Sequence, residues 1–511
     1  MRKILQKLLS KLFIVSGIIV LQMVWFFFLF YTASVASHIF DDLIRLAALL
    51  LALYIANRQM KMYIKLSWIF LILSLPIVGI PCYFFFGRPE LTERTQRRMA
   101  RIVDAYAQFR PENELVNEHL KETDMNAYRQ SRLIAQNQKY PLFMEGYTEY
   151  YKCGEEAFEK MLVDMESAEK FIFMEYFIIG QGSMLDRILK ILERKVKQGV
   201  TVRIIYDDFG SINVIPPHFI QDLKIKGIEV RRFNPYKPVL SVVMNDRDHR
   251  KILVVDGRVA HTGGYNIADE YINEKIRFGY WKDAGIRVEG ECVNSFTTMF
   301  LELWNYINKD NAVHEEYLNP HNTFCRSKAC GFVQPFCDSP LEHDNVGENI
   351  FVSIISNARE YVYIFTPYLI LGTEISQSLI RAARSGVDVR IVTPGIPDKK
   401  LIYIQTKANF RQLIEVGVRI YKYTPGFIHS KCIVADDTTA IVGTCNLDFR
   451  SLYWNFEDFV YMYNTQTVLK VKEDALETFE VSEQISEESA LNKSFITRML
   501  QSVLQLFAPL L

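Results

Sequence analysis

Long uncharged stretches at the N-terminus give way to a repeating pattern of short apolar runs. Leu12 to Tyr31 carries no charge over twenty residues. At about 1.5 Å rise per residue, that length matches a hydrocarbon core of about 30 Å. Leu66 to Phe86 is a second uncharged run, and Leu46 to Ala56 is a shorter one preceded by Asp41, Asp42 and Arg45. They predict a membrane segment of two to three apolar helices over residues 1–90. Arg2, Lys3, Lys7 and Lys11 ahead of the first run, with Ser34-Val35-Ala36 behind it, also suit a secretory signal. The run is longer than the roughly 7–15 residues of a signal core, so retained anchors are expected. Basic residues flank both ends of the segment. A re-entrant passage at Pro76–Gly79–Pro81 would return both ends to one face, which favours a cytoplasmic catalytic part and a multi-pass protein of the cell membrane.

Residues 91–135 are polar and charge-rich and read as a connector. Beyond them, strands and helices alternate twice, over 136–310 and 346–480. Phe171 to Phe177, Val200 to Tyr206 and Ile228 to Arg231 in the first copy correspond to Tyr361 to Phe365, Val387 to Val392 and Val418 to Tyr421 in the second. Strands separated by helices predict an α/β protein of two pseudo-symmetric halves, each a mixed sheet flanked by helices, with a natural site at their interface. Residues 311–345 show little periodicity and read as a linker. In the tail, 481–511, Ile496, Met499, Leu500, Val503, Leu504 and Phe507 share one helical face, opposite Thr497, Arg498, Gln501, Ser502 and Gln505. Such a helix either docks on the protein's own core or lies in a membrane interface.

Each copy ends in the same polar signature, H-x-K-x4-D-x6-G-[G/T]-x-N. It runs from His249, Lys251 and Asp256 to Asn266, and again from His429, Lys431 and Asp436 to Asn446. On a strand, residues two apart share a face, so each lysine accompanies its histidine. The halves together assemble two imidazoles, two ammonium groups and two amides. That set suits a phosphodiester, with cations and donors for the phosphoryl oxygens and imidazoles for nucleophile and acid. The remaining histidines, His38, His119, His218, His261, His314, His321 and His343, recur in no comparable setting and read as structural.

Composition narrows the field. The 59 basic and 59 acidic residues cancel, so no global field gathers nucleic acid, and no nucleic-acid partner is expected. Eight cysteines are scattered. Cys325, Cys330 and Cys337 lie near His321 without zinc spacing and read as reduced thiols.

The two signatures are similar to the HKD motifs of the phospholipase D superfamily. Asn245 to Lys251, Gly263 to Tyr271, Phe278 to Asp283 and Val442 to Leu452 further resemble the bacterial cardiolipin synthases. The resemblance covers nearly the whole chain. It implies a covalent phosphohistidine without metal or other cofactor, a phospholipid substrate (phosphatidylglycerol), and a bilayer as partner. It also implies His249 as nucleophile, His429 as acid/base, and a carboxylate some thirty residues beyond each histidine bonding its Nδ1. Those positions are Asp283 and Glu457. Asp256 and Asp436 belong to the catalytic motif but are expected to brace it, and Asn266 and Asn446 to bind phosphate. The rival readings are a phospholipase D hydrolase, another phosphatidyltransferase, a nuclease of the superfamily, or a non-catalytic lipid-binding scaffold. The sequence leaves the oligomeric state open.

Overall fold

Continuous apolar runs such as Phe171-Ile172-Phe173-Met174 suit strands covered on both sides. In the computed structural model they form such strands. The structure describes residues 20–21, 24–25, 27–29, 31–32, 38–58, 60–87, 93–144, 146–235, 246–323, 331–341, 344–491 and 494–508. Most of the first apolar run, with Cys325, Cys330 and His343, lies outside the described residues.

The first half contributes β1 (Tyr147–Tyr151), β2 (Phe171–Tyr176), β3 (Thr201–Asp207), β4 (Glu229–Phe233), β5 (Arg247–Asp248), β6 (Lys251–Val255), β7 (Val259–Gly263), β8 (Tyr280–Lys282) and β9 (Gly285–Glu289). The second contributes β10 (Phe332–Asp338), β11 (Tyr361–Phe365), β12 (Asp388–Pro394), β13 (Arg419–Tyr423), β14 (Gly426–Ile428), β15 (Cys432–Ala435), β16 (Thr439–Gly443), β17 (Asn455–Tyr463) and β18 (Ser482–Gln484). The seven-stranded sheet runs β1-β9-β7-β6-β2-β3-β4, and the second repeats that order as β10-β17-β16-β15-β11-β12-β13 before adding β18. In each, the parallel strands β2-β3-β4 or β11-β12-β13 continue into antiparallel ones, making the mixed sheets expected.

Alternation sorts the side chains. Phe171 and Phe173 of β2, and Ile252 and Val254 of β6, enter one core that also holds Phe336, Val460 and Met462 of the second half. Their neighbours Ile172, Met174, Leu253 and Val255 face a second core with the helices Gly154–Glu166 and Ser183–Lys197. The halves therefore share an interior.

Two expected connections are structured. The stretch 91–135 holds three helices, Glu93–Ala107, Glu114–Thr123 and Met125–Gln138, whose Met99, Tyr106, Val116, Leu120 and Ile134 join the shared core. Arg110 between them is buried against Glu302 at 2.6 Å. The supposed linker 311–345 contains β10, every residue of which is buried. A strand covered on both faces shows no alternation, and Pro335 disguised it further. Proline is tolerated because β10 is the edge of its sheet.

The N-terminal segment also differs from expectation. The run Leu66 to Phe86 is not one helix but two, α2 (Met62–Ser74) and α3 (Pro76–Phe86), preceded by α1 (His38–Ala56). Pro76 cannot continue the hydrogen-bond ladder of α2, and the chain breaks at Leu75. Gly79 lets α3 fold back on α2, since a Cβ there would meet the Ile72 Cα at 2.6 Å. Ile55, Trp68, Ile72 and Tyr83 close a small core among the three helices. Among the described residues no helix is long and apolar enough to cross a membrane.

Candidate active site

His249 follows β5, and β5 leaves its own sheet. Arg247 and Asp248 pair in parallel with Asn455 and Phe456 of β17, and the His249 N–H donates to the Phe456 carbonyl at 3.0 Å. His429 follows β14, which pairs in parallel with β8, and its N–H donates to the Lys282 carbonyl at 2.7 Å. Each histidine is thus anchored one residue before a carboxylate of the opposite half. Nδ1 of His249 donates to both oxygens of Glu457 at 2.9 Å, and Nδ1 of His429 donates to Asp283 Oδ2 at 2.8 Å. The partners are Asp283 and Glu457 as expected, but the pairing within each half is corrected to a pairing between halves. The cause is the exchange of the short strands β5 and β14 across the interface.

The carboxylates are themselves fixed. Glu457 accepts from Thr444 Oγ1 at 2.5 Å and Asn455 Nδ2 at 3.1 Å, and Asp283 accepts from the Ala284 N–H at 2.9 Å and Trp281 Nε1 at 3.4 Å. Aromatic rings hold the imidazoles from the side: Phe177 packs edge-on to His249 at 5.1 Å, and Trp281 packs on His429 at 5.2 Å. With Nδ1 occupied, each ring turns Nε2 to the cleft. Lys251 and Lys431 lie beneath, each ammonium donating to the carbonyl of its own motif's histidine.

Burial shapes the charges. It pushes His249 well below the usual imidazole value, and the nearby Lys251 and Lys431 push the same way. Burial and Lys431 bring His429 down to about 4, against the opposing pull of Asp283. Lys251 is lowered by burial to about 8, although Glu457 opposes this, and Lys431 is lowered by burial to about 7, with Asp283 opposing. Asp283 stays below the ordinary carboxylate value despite burial, because His429 and Lys431 favour its charge. Burial lifts Glu457 to about 7 against the attraction of Lys251.

Both histidines, Asn266 and Asn446 line one cleft of about 410 Å³ between the halves, within the usual range for a small-ligand site. Asn266 Nδ2 already donates to Tyr271 Oη at 2.8 Å, and Asn446 Nδ2 to Ser451 Oγ at 3.0 Å, leaving each amide one further proton. Asp256 and Asp436 do not join the cleft. Each sits in a turn at φ +54° and +52°, respectively, and accepts the backbone N–H groups of three successive residues, Glu169 to Phe171 or Arg359 to Tyr361, at 2.7–3.0 Å. They brace the fold.

Four cations on the cleft wall, Arg247, Arg277, Lys399 and Arg450, received no role from the sequence. Arg247 and Arg450 stand inside the motif strings Asn245 to Lys251 and Val442 to Leu452, which was the available signal.

Two sheets of identical strand order, each giving a histidine to a cleft closed by the other's carboxylate, define a phosphodiester-transferring enzyme of the two-motif kind. The match to known proteins is specific. The family described as cardiolipin synthase, PLD-like domain, matches residues 161–304 and 351–478, and a phospholipase D-nuclease N-terminal family matches 46–88. A cardiolipin synthase of Alkalihalophilus pseudofirmus is 34% identical over 87% of this chain and 88% of its own length; one of Geobacillus kaustophilus is 32% identical over 93% and 94%. A Streptococcus mutans protein described only as uncharacterized is 41% identical over 90% and 99%. Phosphatidylserine synthase of Haemophilus influenzae shares the fold at a TM-score of 0.58 and 14% identity, over 75% of this chain and 98% of its own. The chain belongs to the cardiolipin synthase family of the phospholipase D superfamily.

Proposed function

We propose that the chain joins two phosphatidylglycerol molecules into cardiolipin and releases glycerol. It is a cardiolipin synthase, a phosphatidyltransferase acting on phospholipid. The observation that carries the reaction course is the crossed pair of histidine–carboxylate contacts, opening on one cleft. Nε2 of His249 attacks the phosphorus of the donor, and the bond from phosphorus to the glycerol oxygen breaks. His429 gives that oxygen its proton. An acceptor hydroxyl then passes its proton to His429 and attacks phosphorus, and the phosphorus–nitrogen bond breaks.

Electrostatics supports this order. Burial and the motif lysines hold His249 neutral, as a nucleophile must be. His429 faces the carboxylate that keeps its charge, so its imidazolium is the better stabilised. A phosphodiester bound over Lys251 and Lys431 offsets the cations that depress His429, so the acid gains its proton as substrate arrives. Asn266 and Asn446 give their remaining amide protons to the phosphoryl oxygens.

The chain works at a bacterial membrane. Here the tail helix Phe495–Phe507 supplies support: it docks through the buried Gln501, whose Nε2 donates to the Ile404 carbonyl at 3.1 Å, and through the Leu504 carbonyl, which accepts from Gln405 Nε2 at 3.0 Å. Its apolar side points outward, with Phe495, Ile496 and Met499 at least 60% exposed. Ser67 of α2 donates to the Leu506 carbonyl at 2.6 Å, so the tail continues a surface on which Leu43, Leu46, Leu50 and Leu66 are also exposed. Ala508 lines the cleft. A bilayer covering this surface delivers lipid to the cleft mouth, with the catalytic part on the cytoplasmic side. The run Leu12 to Tyr31 is the remaining candidate anchor, by its sequence.

Purified protein incubated with phosphatidylglycerol in detergent micelles tests the reading. Cardiolipin and equimolar glycerol, both absent with His249→Ala, are the expected products. Phosphatidic acid in their place would make the chain a hydrolase.

A further inference from the structure

The proposed reaction puts two anionic phospholipids in one cleft. One has its phosphorus on His249; the other offers a headgroup hydroxyl whose own phosphorus lies three carbons and one ester oxygen away. The motif lysines and asparagines serve the first phosphate. The second needs cations of its own, because a phosphodiester keeps its charge on entering a cleft and is costly to leave unpaired.

Arg247 and Arg450 both line the cleft, and Arg450 lies close enough to His249 to push against its charge. Arg247 stands two residues ahead of His249 on β5, and its N–H donates to the Trp454 carbonyl at 3.2 Å. Arg450 lies on the short helix Phe449–Tyr453, one turn ahead of Trp454, whose N–H donates to the Arg450 carbonyl at 2.9 Å. The two halves thus bring one arginine each, by its backbone, to Trp454. Arg247 is held in place: it stacks over Phe209 at 5.0 Å, donates to the Asn234 carbonyl at 3.1 Å, and has Asp207 at 3.7 Å.

Burial, and then the like charge of Arg247, hold Arg450 below the ordinary guanidinium value. Bringing an anion between them would relieve that crowding. Guanidinium groups suit this task because their planar forks pair two donors with two phosphate oxygens.

We propose that Arg247 and Arg450 form a second phosphodiester subsite, holding the acceptor phospholipid's phosphate while its headgroup hydroxyl reaches the intermediate on His249. This rests on the cardiolipin reading above and assigns the acceptor's place within it.

Two reactions separate the subsites. Exchange of isotopically labelled glycerol into phosphatidylglycerol needs only the donor phosphate, because glycerol leaves and glycerol returns. Cardiolipin formation needs both phosphates. With Arg450→Gln, the ratio of cardiolipin formed to glycerol exchanged is expected to fall about ten- to hundredfold, the loss typical of a charged hydrogen-bond pair, and the concentration of phosphatidylglycerol needed for half-maximal synthesis to rise. Arg450→Lys should fall between, keeping the charge but losing the fork; it carries the test if the glutamine variant does not fold. Equal loss of both reactions, or loss of neither, overturns the subsite. Wild-type protein that exchanges glycerol but makes no cardiolipin overturns the cardiolipin reading itself, whatever the variants do.

Discussion

A Cβ on Gly264 would overlap Oδ1 of Asp283 and press on the His429 carbonyl; the carboxylate occupies the space the missing side chain leaves. At the equivalent position of the second half stands Thr444, whose hydroxyl instead donates to the longer Glu457. The pseudo-twofold therefore preserves the histidine–carboxylate contact by two different fittings, a glycine beneath an aspartate and a threonine beside a glutamate.

Gly264→Ala is accordingly expected to displace Asp283 and lower kcat about 100-fold or more, the scale of lost acid–base catalysis. Steady-state kinetics with a thermal melt checks this: activity should fall far more than the melting temperature.

Asp283→Asn and Glu457→Gln keep the shape of each carboxylate and remove its charge. Each should cost about 10²–10⁴ in kcat through a mispositioned or wrong imidazole tautomer. Because Asp283 is ionised whereas Glu457 lies near 7, Asp283→Asn is expected to be the more damaging at neutral pH, and a direct comparison of the two rates decides it.

The depressed lysines set the alkaline limb. Lys431 near 7 and Lys251 near 8 are charged below those values and lose their protons as pH rises through them, so kcat/KM should fall between about pH 7 and 9. Bound phosphodiester favours the charged forms, so kcat should hold to higher pH than kcat/KM. Lys431→Arg, which stays protonated, should move the kcat/KM limb upward even where it lowers the maximum.

Replacing Ile496, Met499 and Val503 together with serine removes apolar surface the protein leaves exposed. Binding to anionic vesicles should weaken by roughly tenfold or more, with turnover of short-chain lipid in micelles largely retained. Vesicle sedimentation beside a micellar assay checks both. Unchanged vesicle binding would assign the helix no role at the bilayer.

Sequence made the repeat legible because its strands are short, apolar and punctuated by glycine at matching places, and because His249 to Asn266 and His429 to Asn446 share one spacing. It also singled out ten candidate residues, eight of which meet at the cleft or directly beneath or behind it, and passed over Arg247, Arg277, Lys399 and Arg450 on the cleft wall. What it hid is physical in origin. β10 is buried on both faces and so lacks alternation, and the helices within 91–135 set only a few buried apolar residues, Met99, Tyr106, Val116, Leu120 and Ile134 among them, in a polar run. The break at Pro76, by contrast, falls in the Pro76–Gly79–Pro81 stretch where the sequence offers a re-entrant passage. The exchange of β5 and β14 leaves no local mark, since it joins residues 208 and 146 positions apart.

Those separations also time the chemistry during synthesis. A ribosome adds about 5–20 residues per second. His249 therefore emerges about ten to forty seconds before Glu457 can orient it, and Asp283 waits a comparable interval for His429. Until almost its last strand has been translated, the chain holds neither histidine–carboxylate pair in full.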